Sequence, residues 1–127
     1  MKRALVLVDH GSREPEAQVS LARLAQQLRA RAPELAVYVA HLELAAPTVA
    51  EALAACAADG VAEVAVLPFF LAAGRHATKD VPEQVAAAAA AHPGLRVQLT
   101  APFGSAAGIA DLILATLPAW RGSTTTT

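Results

Sequence analysis

Apolar and polar residues alternate along the chain in two different patterns. A continuous β-prone apolar run at 4–8 is typical of a strand buried on both faces, and similar runs follow at 35–42, 62–69 and 95–100. Between these runs, apolar residues recur at broadly helical spacing, which predicts helices over about 15–31, 47–58, 81–91 and 106–117. The predicted order of elements is therefore βαβαβαβα.

This alternation predicts the fold class. Helices long enough to cross over between strands favour a parallel sheet with helices packed on its faces. We therefore expect an α/β fold, an open parallel sheet of about four strands with helices on both faces. A chain of 127 residues, 55% of them hydrophobic, suffices for one core, so residues 1–120 are predicted to form a single domain. The Ser/Thr-rich segment 121–127 is expected to be a disordered tail.

Charge and hydropathy argue against two classes of partner. The net charge is -1 and no long basic block occurs, whereas nucleic-acid binding needs clustered Lys and Arg. No apolar run approaches the roughly 20 residues that span a bilayer, and the first strand is not preceded by a leader with a small-residue cleavage site. We expect a soluble cytoplasmic protein without nucleic-acid or membrane partners. Cys56 lies among alanines of a predicted helix and is interpreted as a core residue.

Candidate chemistry collects where the strands end. His10 follows the first strand, His41 and Glu43 end the second, and His76 follows the third. Ligands of open parallel sheets bind beyond the carboxyl ends of the strands, and all of these residues are expected at that edge. Imidazoles and a carboxylate suit iron, cobalt, nickel or zinc, and without thiolates the site does not resemble a closed structural zinc site.

Each of these residues also has an ordinary structural interpretation. The strand-end position before Gly-Ser favours a functional His10, and His76 is interpreted in the same way. His41 continues an alternating apolar pattern, so it points either into a partner or into the rim of the core. His92 precedes Pro-Gly at a helix end, where a structural role is favoured. Gly11 and Gly74 either let a flat ligand approach the backbone or are turn glycines.

Four segments give the chain a family resemblance. They are VDHGSR at 8–13, LELAAP at 42–47, LPFFLAAGRH at 67–76 and KDVP at 79–82. In this order and spacing they resemble the small class of CbiX/SirB-type sirohydrochlorin chelatases over nearly the whole chain. The resemblance implies a lyase that inserts a divalent metal, as a substrate, into a sirohydrochlorin-type tetrapyrrole, without an organic cofactor. It also implies a homodimer, since the short form is similar to half of the longer relatives.

The resemblance assigns roles to individual residues. His10 and His76 match the family's metal-site histidines, and Glu43 matches its acidic position, whereas His41 departs from the family pattern. The histidines would bind the metal or accept pyrrole protons, and Glu43 would orient an imidazole, take up a proton or complete the metal shell. The remaining residues predicted to contact the macrocycle are Ser12, Arg13, Phe69, Phe70, Leu71, Gly74, Arg75 and Lys79. The aromatic ones are equally interpretable as core, and the basic ones as solvated charges.

Three other functions remain open at this point. A noncatalytic metal carrier would use the same ligands and hand the metal to another protein. A histidine phosphatase usually has Arg before the strand-end His-Gly, whereas Asp9 here would repel a phosphate. An α/β interaction module with accidental histidines is the third. The choice among cobalt, iron and nickel, and hence among cobalamin, sirohaem or a related cofactor pathway, does not follow from the ligand types.

Overall fold

The structure is a computed structural model that describes residues 1–72 and 74–120. Its elements, in chain order, are β1 (Arg3–Asp9), α1 (Pro15–Arg31), β2 (Leu35–His41), α2 (Val49–Ala58), β3 (Glu63–Pro68), α3 (Arg75–Ala90), β4 (Arg96–Leu99), a 3₁₀ turn (Phe103–Ser105) and α4 (Ile109–Ala115). The predicted tail at 121–127 lies outside the described residues, so its disorder stays a prediction.

The four strands form one parallel sheet in the order β2-β1-β3-β4. Asp9 at the end of β1 pairs in register with His41 at the end of β2, and Val8 pairs with Pro68 at the end of β3. The second strand, β2, is added next to β1 on one side, and β3 is then added next to β1 on the other side. The topological switch point therefore lies between β1 and β3, where the fold class places ligand sites. The predicted fold class is confirmed.

Helices cover both faces of the sheet. One cluster consists of Leu7, Leu21, Ala25 and Val37, and it joins α1 to β1 and β2. The larger cluster joins the other face to α2 and α3, and includes Val6, Leu53, Val66 and Val85. Alternate residues of each strand point to opposite faces, so both faces of the central strands are apolar. This explains why residues 4–8 of β1 form a continuous apolar run in the sequence.

Cys56 belongs to the larger cluster and is completely buried. Burial, together with the nearby Asp59 carboxylate, raises the pKa of the Cys56 thiol to about 11. Both effects disfavour the thiolate, which is the reactive form of cysteine. The interpretation of Cys56 as a core residue is confirmed.

The starts of α2 and α3 differ from the sequence prediction. Helix α2 begins at Val49 rather than Pro47, because Thr48 caps it. The Thr48 side-chain oxygen accepts the Glu51 amide, and the Thr48 amide in turn donates to the Glu51 carboxylate. Helix α3 begins six residues before the predicted Val81, at Arg75, and contains Pro82.

Pro82 lies inside α3, although proline lacks the N–H of an interior helical residue. The buried side chains Ala77, Val81 and Val85 recur every four residues, both before and after the proline. Their packing in the core offsets the lost hydrogen bond, and the helix continues through Pro82.

The last helix is shorter and less well packed than predicted. The predicted span 106–117 is reduced to Ile109–Ala115, after the 3₁₀ turn. Within the part of the chain that the structure describes, neither apolar cluster includes an α4 side chain. The exposed apolar residues at this end are Leu112, Ile113, Leu114, Leu117 and Trp120. Helix α4 therefore presents an apolar surface to solvent in the single chain.

Candidate functional site

The ends of β1 and β2 continue as a pair of hydrogen-bonded loops. The backbone N–H of Leu42 donates to the carbonyl of Asp9 at 3.0 Å, and that of Glu43 donates to the carbonyl of His10 at 3.1 Å. The pairing of the two strands thus extends past the sheet. It brings the backbones of His10 and Glu43 side by side at the carboxyl edge, as the sequence predicts.

Gly11 makes this approach possible. Its φ is +93°, a conformation that L side chains rarely adopt. A Cβ atom at this position would lie 1.7 Å from the carbonyl oxygen of Glu43. The group that approaches the Gly11 backbone here is the chain itself, so Gly11 has a structural role beyond that of a turn glycine: it lets the β1 loop contact the β2 loop.

The His10 side chain is exposed and leans on an aromatic ring. Its ring centroid lies 4.4 Å from that of Phe70, with the planes tilted by 33°. Phe70 is only 5% exposed and belongs to the core cluster under α2 and α3. Phe70 is therefore a core residue whose ring also limits the positions of the His10 imidazole. The contact lies at the switch point between β1 and β3.

The segment after β3 is held by a second close backbone approach. The amide of Gly104 donates to the carbonyl of Phe70 at 2.8 Å, and a Cβ at Gly104 would lie 1.8 Å from the carbonyl oxygen of Leu71. The ring of Phe69 packs on that of Phe103 at 5.4 Å. Phe69 and Leu71 remain 36% and 77% exposed. Both predicted macrocycle-contacting residues thus present apolar surface at this edge.

A cavity of about 220 Å³ lies beside Phe70. It is lined by Pro68, Phe70, Ala77, Thr78, Val81, Pro82, Leu99, Thr100 and Pro102. The cavity is mostly apolar and opens between α3 and the ends of β3 and β4. Its volume lies below the ~300–1,000 Å³ typical of pockets that enclose a small organic ligand. It is therefore too small to enclose a ligand of tetrapyrrole size.

The polar residues predicted to contact the macrocycle have different surroundings. The Ser12 hydroxyl accepts the Glu14 amide at 3.0 Å, which gives it a structural role in the turn before α1. Arg13 is exposed in the same turn. Arg75 and Lys79 are exposed in the first turns of α3, so Lys79 is helical rather than in the predicted loop. Gly74 caps α3, and a Cβ there would meet open space, so nothing in the chain requires a glycine.

His76 is the second residue of α3, in the helix that follows β3. Its backbone position agrees with the predicted carboxyl edge, and its side chain lies outside what the structure describes. The same helix is tied to the β2 loop, because the Gln84 side-chain amide donates to the Leu42 carbonyl at 3.3 Å. Through Leu42, the His10 loop and the helix that carries His76 share one hydrogen-bonded segment.

Sequence reasoning missed one pair of polar side chains at this edge. His41 is 4% exposed, and its Nδ1 lies 2.5 Å from Oδ1 of Asp9. His41 thus lies at the rim of the core, one of its two predicted positions. In the sequence, Asp9 indicated only that phosphate binding is disfavoured. The contact follows from the register of β1 and β2, in which Asp9 pairs with His41, and not from the sequence of either strand alone.

Among the side chains that the structure describes, no group of three or more His, Cys, Asp or Glu is arranged to hold a metal. His10 and Glu43, on adjacent loops, both have exposed side chains. In that same part of the chain, no helix is long and apolar enough to cross a membrane. The fold and this edge together define an open parallel α/β protein that exposes an imidazole and a carboxylate at the carboxyl ends of its strands.

Comparison with known proteins identifies the family. The CbiX family model matches residues 4–118. The chain is 37% identical over 100 residues to the chloroplastic sirohydrochlorin ferrochelatase of Arabidopsis thaliana, covering 79% of this chain and 44% of that protein. It is 38% identical over 82 residues to the sirohydrochlorin cobaltochelatase of Methanopyrus kandleri, covering 65% and 57% of the two chains.

Solved structures agree with this match. A CbiX protein from Marinobacter aquaeolei VT8 has a TM-score of 0.75 at 30% identity, over 87% of this chain and 90% of that one. The cobalt complex of the sirohydrochlorin chelatase SirB from Bacillus subtilis has a TM-score of 0.73 at 34% identity, over 80% and 44%. The chain belongs to the CbiX family, as its sequence motifs predict. It spans less than half the length of the Arabidopsis relative.

Proposed function

We propose that this protein is a chelatase that inserts a divalent metal, cobalt, iron or nickel, into sirohydrochlorin. The observation that carries the proposal is the exposed His10, held beside Glu43 by paired backbone loops at the switch point of the sheet. The relatives named as sirohydrochlorin ferrochelatase and cobaltochelatase support the same substrate. The product would enter cobalamin, sirohaem or related cofactor biosynthesis. A cytoplasmic location stays a prediction from the sequence.

Metal insertion requires the metal to lose water ligands and the macrocycle to lose two pyrrole protons. In this proposal, His10 and His76 bind the incoming metal as neutral imidazoles and accept protons as the metal passes to the ring. Glu43 takes up a proton or completes the metal shell. Because these ligands leave coordination positions open, the metal remains free to exchange them for pyrrole nitrogens.

The macrocycle is proposed to lie against the apolar edge formed by Phe69, Phe70 and Leu71, with one edge in the adjacent cavity. The exposed cations Arg13, Arg75 and Lys79 would meet its peripheral carboxylates. Ser12 and Gly74 remain candidate contacts through their position at this edge. Because Phe70 covers one side of the exposed His10 imidazole, the macrocycle would approach His10 from the solvent side.

The working unit is proposed to be a homodimer whose copies frame one shared cleft. The cavity of about 220 Å³ is too small to enclose a tetrapyrrole, so a second wall is needed. Helix α4 exposes Leu112, Ile113 and Leu114, an apolar surface of the kind that marks protein interfaces. The chain spans 44% of the solved Bacillus subtilis SirB chain, so two copies of this chain would approach the length of that relative.

Histidine variants test the chemistry. His10→Ala and His76→Ala are each expected to lower the rate of cobalt insertion into sirohydrochlorin by at least about 100-fold, a typical loss when a group acting in proton transfer is removed. The matched control is His92→Ala, because His92 follows α3 at the opposite end from His76. Insertion is followed by the change in the visible absorption of the macrocycle. Near-normal rates in His10→Ala would remove this residue from the mechanism.

A further inference from the structure

The Asp9–His41 pair lies directly beneath the loop that carries His10. Asp9 and His41 occupy register-paired positions at the last rung of β1 and β2. Both share strand parity with Leu7 and Val37, which pack under α1. An ionised carboxylate only accepts hydrogen bonds, so the His41 Nδ1–H donates to Asp9 Oδ1. The side-chain bond therefore links the two strands on the α1 face.

Backbone contacts connect this pair to the site in both directions. The residue after Asp9 is His10, whose carbonyl accepts the Glu43 amide, and the Asp9 carbonyl itself accepts the Leu42 amide. The His41 amide donates to the Pro47 carbonyl at 2.8 Å, at the start of the α2 connection. Asp9 directly precedes His10 in the chain, and His41 directly precedes Leu42. A shift of either strand end would therefore move His10 relative to Glu43.

His41 is buried and makes a charge-assisted bond in a strand that otherwise places apolar residues on this face. A leucine or valine would fill such a position without the cost of burying an imidazole. The polar pair is therefore explained by what it fixes rather than by packing. We infer that Asp9 and His41 are positioning residues that hold the His10 and Glu43 loops in the geometry required for metal binding.

The effect that we expect on metal insertion rests on the proposed function. The effect that we expect on the geometry of the two loops does not. Hydrogen bonds that orient a metal-binding group typically contribute about 10- to 100-fold to metal affinity or activity. His41→Leu replaces the imidazole with an apolar side chain of similar size and removes the hydrogen-bond donor. His41→Asn is the conservative rescue, since its amide nitrogen can donate from nearly the position of Nδ1.

The matched control is Tyr38→Phe. Tyr38 lies in the same strand, and its hydroxyl donates to Asp59 Oδ2 at 2.6 Å, on the face opposite His41. This variant removes one hydrogen bond to a carboxylate from β2 without touching the loops. Asp9→Asn keeps the shape of the acceptor and weakens the bond. If His41→Leu does not fold, Asp9→Asn takes its place in the test. Thermal unfolding of each variant shows whether it is folded.

Two measurements test the inference. In titrations with Co²⁺ alone, followed by visible absorption, His41→Leu is expected to bind at least about tenfold more weakly than the unchanged protein. Asp9→Asn should weaken binding in the same direction, whereas His41→Asn and Tyr38→Phe stay within about threefold. With sirohydrochlorin present, the loss should fall on kcat more than on the KM for the macrocycle, because the pair orients His10 and does not touch the ring.

The outcomes separate this inference from the proposed function. If the unchanged protein binds Co²⁺ but does not metallate sirohydrochlorin, the proposed function fails, and the Co²⁺ affinities still decide the role of the pair. Equal Co²⁺ affinity in folded His41→Leu and in the unchanged protein would overturn the inference. Loss of Co²⁺ affinity in Tyr38→Phe as large as in His41→Leu, or absence of Co²⁺ binding by the unchanged protein, would overturn it as well.

Discussion

Gly11 shows how a single residue permits the geometry of the site. Its positive φ and its contact with the Glu43 carbonyl both depend on the missing side chain. The motif around His10 indicates that a glycine is needed here, but the sequence does not say whether a ligand or the chain itself fills the space. The answer depends on Glu43 in the β2 loop, which lies 32 residues later in the chain and becomes a neighbour only through strand pairing.

The first prediction concerns this glycine. Gly11→Ala is expected to destabilise the protein by about 1–3 kcal/mol from backbone conformation alone, and further because its Cβ would overlap the Glu43 carbonyl. Thermal or urea unfolding measures the change. Gly94→Ala is the control, since a Cβ there meets open space. Equal stability of Gly11→Ala and the unchanged protein would show that the two loops are not in contact.

The second prediction concerns the thiol. Since burial and Asp59 raise the pKa of Cys56 to about 11, the native protein is expected to resist a disulfide reagent at pH 8 and to react fully once unfolded. The unfolded thiol loses its proton at lower pH than the folded one. Stability should therefore fall as pH rises from about 9 towards 11. Rapid labelling of the folded protein at pH 8 would contradict the burial of Cys56.

The Asp9–His41 pair shows what the sequence of a single strand does not predict. His41 continues the apolar alternation of its strand, so its burial on that face could be predicted from the sequence. Its partner could not, because the contact depends on which strands are neighbours and on their register. The placement of His10 and Glu43 at one edge followed from the parallel topology alone, and it needed no knowledge of side-chain contacts.

At the scale of elements, strands were predicted more closely than helix ends. The apolar β-prone runs of the sequence mark the strands, and all four strands agree with the prediction to within about one residue. Helix ends depend on capping and packing instead. Pro82 is a local signal for a helix start that the buried positions of α3 override, and Pro47 is a similar signal that the Thr48 cap displaces.

The third prediction tests that cap. Thr48→Ala removes the side-chain oxygen that accepts the Glu51 amide and is expected to cost about 0.5–2 kcal/mol of stability. Thr48→Ser is the matched control, because it keeps the hydroxyl, and it should remain within about 0.5 kcal/mol of the unchanged protein. The free energies of unfolding are compared in urea. Identical values for the alanine and serine variants would show that α2 is not capped by this residue.

At the scale of the whole molecule, helix α4 is the part that the sequence predicts least well. Its helical pattern is visible in the sequence, but the face of the sheet that it would cover was not specified. In the single chain, its apolar residues pack against neither cluster of the described core. An apolar helix without a partner in its own chain is consistent with a surface that another copy covers.

The fourth prediction concerns this surface. The unchanged protein is expected to run at twice the 13.0 kDa chain mass in light scattering at micromolar concentration. Ile113→Glu should shift it to the monomer, because a charge would be buried in the apolar contact. Val19→Glu, at an exposed apolar position of α1, is the control and should remain dimeric. A fully active monomer would overturn the shared cleft.

The fifth prediction, which tests the central claim most directly, is the rate of metal insertion under multiple turnover. With sirohydrochlorin and Co²⁺ both in large excess over the protein, the account predicts an insertion rate proportional to protein concentration and well above the spontaneous rate. Many rings would be metallated per chain. A noncatalytic carrier would give one rapid burst, at most equal to the protein concentration, followed by the spontaneous rate. That burst, or no acceleration with Co²⁺, Fe²⁺ or Ni²⁺, would contradict the proposal that this protein is a chelatase.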